Sequence, residues 1–210
     1  MTSVAQRYDS ALTKSNIMDA AEELFADKGF DGTGIMEIAR KADVPKSLIY
    51  YYFDGKETIL KELMNRLVEE VIAMKYKTVE NRNPEDTITR EGLLKIFQAG
   101  YQFYSERIRM FKIIYQESLK KEFIGDFLMN MQMSQQESID YLQNAGMKVN
   151  EKELKFGHFF SVGLPFMSFM LHKDKWCEMN GCDPDEARAK FIDLMVDITT
   201  LVISRSVSLK

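Results

Sequence analysis

Cysteine and histidine, which build many metal sites and active sites, are scarce in this chain. It has two cysteines, Cys177 and Cys182, and two histidines, His158 and His172. One close pair of thiols without a second pair supports neither a zinc site nor a disulfide framework, so both are predicted to be reduced. A phosphate-binding loop and a G-x-S-x-G nucleophile motif are also missing. The sequence therefore predicts a protein that is not an enzyme and that uses no metal and no cofactor.

Long apolar runs and prolines are also rare. No apolar run approaches the ~20 residues that a membrane helix needs, and the opening MTSVAQRYDS lacks the charged-then-apolar pattern of a signal peptide. We therefore expect a cytoplasmic protein that makes no contact with a membrane. Because the chain has only four prolines and no alternating strand pattern bounded by turns, it predicts an all-α fold.

Positive charge is not in excess. The formal net charge is −4, and the first 60 residues carry seven Lys or Arg against ten Asp or Glu. This balance argues against nonspecific packaging of nucleic acid, which needs a broad basic surface. It leaves open a protein that makes a few well-placed phosphate contacts.

Residues 32–60 contain two short helical patterns separated by a break. Apolar residues at helical spacing stop at Ala42 and resume after Pro45. The turn between them needs a residue that tolerates a left-handed backbone, and Asp43 is one of the few residues besides glycine that do. Pro45 then fixes a helical φ at the start of the second helix. This pattern predicts a helix-turn-helix, whose second helix enters the major groove of DNA.

With its flanks, this stretch closely resembles the N-terminal domain of the TetR (tetracycline-repressor-like) family of bacterial transcription regulators. The residues that carry the resemblance form an ordered set over about a quarter of the chain: Ile17 to Phe25, Lys28-Gly29-Phe30, Thr33, Ile49 to Phe53 and Lys56-Glu57. Three positions depart from the family pattern, with Asp43 in place of the usual Gly, Pro45 in place of a capping Ser or Thr, and Gly34 in place of a second polar residue.

The resemblance implies two sets of DNA contacts. It makes the helix after Pro45 the recognition helix, whose exposed face predicts base contacts by Lys46, Ser47, Leu48 and Tyr51. Ile49 and Phe53 are expected to face the core. Backbone phosphates would be bound by Thr33, Tyr50, Tyr52 and Lys56. Alternative interpretations are a solvated helix start for Lys46 and Ser47, an N-cap for Thr33, and core packing for Tyr50.

The implied architecture is an N-terminal three-helix helix-turn-helix domain, residues 1–56, followed by a C-terminal helical ligand-binding and dimerisation domain, residues 57–210. A fourth helix from Lys56 to about Lys77 is expected to connect the two domains. The last two helices carry more apolar surface than one core needs, and in the family such helices pair in a homodimer. Charged substitutions at Met195 or Val202 are expected to disrupt that dimer.

The C-terminal half is rich in Phe and Met, and most of these residues are expected to form the core. Fourteen methionines among 210 residues also suit an adaptable apolar pocket, and Pro165 is expected to kink the helix that carries it. The predicted ligand pocket consists of Tyr101, Tyr104, Phe111, Tyr115, Phe127, Met131, His158 and Phe160.

The sequence thus predicts a ligand-responsive transcriptional regulator, typically a repressor that an apolar or amphipathic small molecule releases from a palindromic double-stranded operator. The competing hypothesis is a helical protein that has kept this fold but acts through protein partners, as the weak basicity of its N-terminal residues would allow. Binding of a palindromic duplex distinguishes the two.

Overall fold

The computed structural model describes residues 10–208, and over this range the chain is almost entirely helical. The helices and strands run in the order α1 Ser10–Lys28, α2 Ile35–Lys41, α3 Lys46–Tyr52, α4 Lys56–Val79, α5 Pro84–Thr87, α6 Arg90–Glu106, α7 Ile108–Ser118, α8 Ile124–Asn144, β1 Lys148–Val149, α9 Glu151–His158, a π-helical turn Phe159–Gly163, α10 Leu164–Asn180, α11 Pro184–Ser206 and β2 Val207–Ser208. The predicted all-α class is confirmed.

The chain forms two compact units. The first unit contains residues 10–67 and 109–128, and the second contains residues 68–108 and 129–208. Helices α4 and α8 each contribute one part to each unit. The predicted functional boundary at residue 56 stays a prediction, because the compact units are defined by packing alone.

The core of the first unit is built from α1 to α3 and the start of α4. Ile17, Ala21 and Phe25 of α1 are buried at helical spacing, together with Ile38 of α2 and Ile49 of α3. Helix α1 ends at Gly29, where φ is +77°. Glycine adopts this left-handed conformation without a steric penalty, so Gly29 suits the end of the helix.

The second unit has its own core on α6, α10 and α11 and in the π-helical turn. Its buried side chains are Leu93, Phe97, Val162, Phe166, Ile192, Met195 and Val196. Helices α9 and α11 approach closely at Gly157, where a Cβ atom would lie 2.8 Å from Cγ1 of Val202. The short strands β1 and β2 pair antiparallel, with Val149 opposite Val207. These strands could not be predicted, because two residues carry no alternation.

Two features of this unit concern residues for which the sequence made predictions. Met195 is only 1% exposed and belongs to the core, so it was the wrong choice as an interface residue. Around Pro165 the helix continues through the π-helical turn, in which the Leu164 amide donates to the carbonyl of Phe159. Because a π-helical turn shifts the hydrogen bonding by one residue, it accommodates the amide that proline lacks.

Candidate nucleic-acid interface

The turn between α2 and α3 has the geometry that its sequence predicts. Asp43 has a φ of +53°, and its amide donates to the carbonyl of Arg40. Pro45 is the N-cap of α3, with φ −59°, and the Leu48 amide donates to the Pro45 carbonyl over 2.9 Å. The turn therefore fixes the direction in which α3 leaves α2.

Helix α3 presents a buried side and an exposed side. Ile49 is fully buried and Phe53, at the C-cap, is 2% exposed, so both face the core as predicted. On the other side Lys46 and Ser47 are exposed, and Tyr51 is 76% exposed. Leu48 is half-buried and lies at the edge of this surface. We call Lys46, Ser47, Leu48 and Tyr51 the α3 face.

The tyrosines of α3 differ in their surroundings. Tyr50 is about half exposed, and the Lys46 ammonium lies 5.4 Å from its ring centre. Tyr52 is half-buried, packs edge-on against Tyr51 with ring centres 5.0 Å apart, and donates its hydroxyl to Ser10 Oγ over 3.3 Å. These contacts hold the rings beside the exposed end of α3.

Thr33 is held by the protein. Its side chain is 2% exposed, and its hydroxyl donates to the carbonyls of Gly29 and Leu24 over 2.9 and 3.2 Å. The N-cap of α2 is Gly34, whose amide donates to the Glu37 carboxylate over 3.1 Å. The alternative interpretation of Thr33 as an N-cap is therefore wrong.

Lys56 also makes internal contacts. Its ammonium donates to the carbonyls of Phe30 and Thr33 over 2.9 and 3.2 Å and lies 4.5 Å above the Phe30 ring. A third, longer contact of 3.5 Å reaches the Asp31 carbonyl. Lys56 therefore stabilises the loop between α1 and α2, and its phosphate contact stays a prediction.

Most cations of the first unit are already paired with carboxylates. Lys41 lies 2.5 Å from Glu23 and Lys14 lies 3.0 Å from Glu62, while Arg66 bridges Asp19 and Glu22. Among the described residues of this unit, Arg40, Lys46, Lys112 and Lys121 are exposed and make no ion pair. Two of these four free cations, Arg40 and Lys46, lie on α2 and at the start of α3.

The predicted pocket residues are divided between the two units. Phe111, Tyr115 and Phe127 belong to the first unit, and the other five belong to the second. Within the second unit, Tyr104 lies 5.7 Å from Phe166 between ring centres, and burial raises its pKa to about 12. Cations flank Tyr101, with Lys173 and Arg188 at 6.0 and 5.5 Å from its ring centre.

The remaining pocket candidates lie in different surroundings. His158 is half-buried and contacts Gln135, and Met131 approaches Gly163. Phe160 is 55% exposed and packs against Phe156, with ring centres 5.0 Å apart and ring planes at 46°. A separate open groove of about 520 Å³ in the same unit is lined by Tyr76, Lys77, Val79, Glu80, Asn81, Arg82, Pro84 and Tyr141. None of these was among the predicted pocket residues.

Lys75 is a candidate functional residue that the sequence did not predict. It continues the row of apolar residues on α4 at a spacing of four, after Ile59, Leu63, Leu67 and Val71. A lysine in register with a buried row was the signal that could have found it. Its ammonium is bound by two serines of α8.

A left-handed turn followed by a short helix with an exposed polar face defines a helix-turn-helix DNA-binding domain. Residues 17–63 match the family described as bacterial regulatory proteins, tetR family. The first part of the chain therefore carries the N-terminal domain of this family.

Two sequence relatives and two solved structures extend the comparison. The "Probable HTH-type transcriptional regulator YttP" of Bacillus subtilis is 34% identical over 124 residues, which are 56% of this chain and 58% of that protein. The biofilm operon icaADBC HTH-type negative transcriptional regulator IcaR of Staphylococcus epidermidis is 30% identical over 102 residues, 49% of this chain and 45% of that protein. The chain thus spans about half the length of the curated relatives it matches. These relatives are regulators rather than enzymes, as expected.

The structural neighbours show that the fold extends over the whole chain. A TetR family transcription regulator from Marinobacter aquaeolei VT8 has a TM-score of 0.63 and 18% identity, and covers 98% of this chain and 100% of its own. A TetR-like transcriptional regulator from Rhodococcus sp. RHA1 has a TM-score of 0.62 and 17% identity, with 90% and 96% covered. At this identity the likeness shows the fold alone.

Proposed function

We propose that this chain is a dimeric transcriptional repressor that binds a pseudo-palindromic DNA operator and is released by an apolar or amphipathic small molecule. The observation that carries the proposal is the α3 face, where Lys46, Ser47 and Tyr51 point to solvent from a helix anchored by buried Ile49. Donors on an exposed helix face are what readout of base edges in the major groove requires.

Repression is the direction that the relatives support, because one of them is named a negative transcriptional regulator. The acidic charge balance is compatible with DNA binding of this kind. Surface ion pairs contribute about 0–1 kcal/mol each, so cations such as Lys41 can exchange a carboxylate for a phosphate at little cost. The residues proposed to contact the phosphates remain Tyr50, Tyr52, Lys56 and Thr33, which lies just before α2.

The dimer is proposed to form through an apolar face on α9, the π-helical turn and α11, defined by Phe156, Phe160, Leu194 and Leu201. These side chains are 66%, 55%, 53% and 54% exposed. Among the described residues, Glu151–Asn180 is also the one helical stretch that is long and apolar enough to span a membrane. Its most apolar window is only 17% buried in the single copy, so most of its apolar surface is exposed. A single such helix is weak evidence for a membrane segment, and a surface shared by two copies accounts for the same exposed apolarity.

Two copies joined in this way would place two recognition helices on half-sites about 34–36 Å apart, or further. An operator selected from random duplex DNA should therefore be an inverted repeat. Selection of unrelated or single sites would contradict the dimeric repressor, and failure to select any duplex would favour the competing function through protein partners.

The contact residues are tested by measuring the affinity of variants for the selected operator and for an unrelated duplex across salt concentrations. Lys46→Ala or Tyr51→Ala should lose on the order of 1–3 kcal/mol on the operator and change base preference. Lys152→Ala removes an exposed lysine of α9 and serves as the matched control, which should bind as the wild type does. Equal losses on both duplexes would remove Lys46 and Tyr51 from the base-reading set.

A further inference from the structure

Lys75 lies in the second unit in contact with neutral oxygen atoms. Its ammonium donates to Ser134 Oγ over 2.8 Å, to the Ser134 carbonyl over 3.1 Å and to Ser138 Oγ over 3.3 Å. Ser134 and Ser138 are one turn apart on α8 and share a face of that helix. The ammonium is therefore fixed in position without a carboxylate bonded to it.

The charge of Lys75 is only partly compensated. Burial lowers the pKa of Lys75 to about 8, and the nearby charge of Glu137 acts in the opposite direction. The Glu137 carboxylate instead accepts a hydrogen bond of 2.7 Å from the hydroxyl of Tyr76. A half-buried cation that lacks a bonded anion is unfavourable, and an incoming anion would relieve this cost.

His158 provides a second donor, and it contacts Gln135, the residue that follows the Lys75 partner Ser134 on α8. Its Nδ1 lies 3.3 Å from Nε2 of Gln135, and an amide nitrogen can only donate, so Nδ1 accepts and the proton resides on Nε2. Burial, together with the charge of Lys75, lowers the pKa of His158 to about 4. The imidazole is therefore neutral near pH 7, and its Nε2–H makes no hydrogen bond within the described residues.

An apolar group lies next to these donors. Met131 precedes Ser134 and Gln135 by about one turn on the same face of α8, and its Cε lies 3.3 Å from the point that a Cβ at Gly163 would occupy. Gly163 closes the π-helical turn that follows His158, and π-helical turns occur frequently at functional sites. Methionine is a flexible side chain that adapts to apolar ligands.

We propose that Lys75 and His158, with Ser134 and Ser138, bind the carboxylate of an amphipathic monocarboxylic acid whose alkyl chain lies along Met131. All three N–H donors of the Lys75 ammonium already have acceptors, so a carboxylate would replace the longest contact, the one of 3.3 Å to Ser138 Oγ. The second carboxylate oxygen would accept from the imidazole N–H, and charge-assisted hydrogen bonds of this kind are the stronger ones. The proposal rests on the proposed effector response, for which it supplies the chemical class of the ligand.

The test is calorimetric titration of the full-length protein, without DNA, with hexanoate, decanoate and tetradecanoate and with the alcohols of equal length. At least one carboxylate should bind the wild type more tightly than its alcohol, by about tenfold or more, as expected for one charge-assisted contact. No binding by any of the three carboxylates, or equal affinity for acid and alcohol, would overturn the proposal.

Two variants assign the preference to this site. Lys75→Met should bring the affinity for the carboxylate down to that for the alcohol while leaving the alcohol unchanged, and Lys75→Gln should do the same. Lys77→Met, an exposed lysine on the same helix, is the matched control and should keep the preference. Retention of the preference in both Lys75 variants, with native circular dichroism, would also refute the site. If both variants failed to fold, the comparison of acid and alcohol on the wild type would still decide whether the protein binds a carboxylate preferentially.

Failure of the site and failure of the proposed function give different results. Carboxylate binding that depends on Lys75 but leaves the operator affinity unchanged would support the site and contradict release by this ligand. Operator release by an uncharged or cationic amphiphile that competes with no carboxylate would support an effector-responsive repressor and overturn the carboxylate site.

Discussion

At the level of single residues, Lys56 and Thr33 join the loop between α1 and α2 to the rest of the first unit. Thr33 ties the loop to the end of α1 through its buried hydroxyl, and Lys56 ties it to the start of α4. The family resemblance attached both residues to DNA, but neither contact with the protein backbone can be deduced from the sequence, since the partners are carbonyls with no sequence signature.

Lys56→Met should lower the free energy of unfolding by about 1–2 kcal/mol, because hydrogen bonds that involve a charged group contribute on this order. Urea denaturation measures the change. Lys46→Met is the control, since that exposed side chain only lies over the Tyr50 ring and its loss should change stability by less than about 0.5 kcal/mol. Equal effects of the two substitutions would show that the loop contacts of Lys56 add nothing.

His158 should make the protein less stable as the pH falls from about 6.5 to about 4. The unfolded imidazole has a pKa of about 6.5, whereas burial and the charge of Lys75 lower the folded pKa to about 4. Between these values the unfolded state binds more protons, so stability rises with pH through this window and is fully present above it.

The expected loss is on the order of 2–3 kcal/mol, and urea denaturation at several pH values measures it. Several carboxylates, such as Asp31 and Glu37, also have lowered pKa values, so acid destabilises the fold through them as well. The informative quantity is therefore the difference between the wild type and His158→Gln, which should vary with pH only in the imidazole window. A difference independent of pH would show that His158 does not titrate as the structure indicates.

At the level of secondary-structure elements, local signals predicted more than long-range ones. The left-handed turn at Asp43, the Gly29 C-cap, and the starts of α9 and α11 at Asn150 and Asp183 all follow from nearby residues, and the structure contains each of them. Capping and turn chemistry is encoded within a few positions of the chain, so a single sequence is sufficient to read it.

Asp43→Gly should stabilise the protein by about 0.5–1 kcal/mol, because glycine removes the steric cost of a left-handed φ. Asp43→Val should destabilise it by a larger amount, since a β-branched side chain tolerates this conformation poorly. Thermal unfolding of the wild type and the two variants at one pH ranks their stabilities. A wild type more stable than Asp43→Gly would mean that the aspartate side chain contributes a contact that outweighs the backbone strain.

Features that depend on residues distant in the chain could not be predicted from the sequence. The apolar stripe of α11 does not reveal which of its members face the core, so Met195 was assigned to the interface although Leu194 is the exposed neighbour. The contact of Lys75 with α8 joins residues about sixty positions apart, and the sequence shows only that a lysine interrupts an apolar row. Helical periodicity identifies a face but not its partner.

At the level of the whole molecule, the choice of interface residues can be tested directly. Leu194 and Leu201 are seven residues apart on α11, so they lie on one exposed face of that helix. A protein that exposes such a face in one copy is expected to cover it in an oligomer. Burial of these two leucines in a dimer would bring together the α11 helices of the two copies.

The double variant Leu194→Glu with Leu201→Glu should be a folded monomer, because four buried charges would face one another in the symmetric dimer. Sedimentation or light scattering measures the mass, and circular dichroism confirms the helices. Ala189→Glu, at another exposed position of α11, should remain a dimer, whereas Met195→Glu should unfold because its side chain is in the core. The monomer should also lose most of its operator affinity, since the two half-sites would then be bound independently. A double variant that keeps the mass of a dimer would place the interface on another surface.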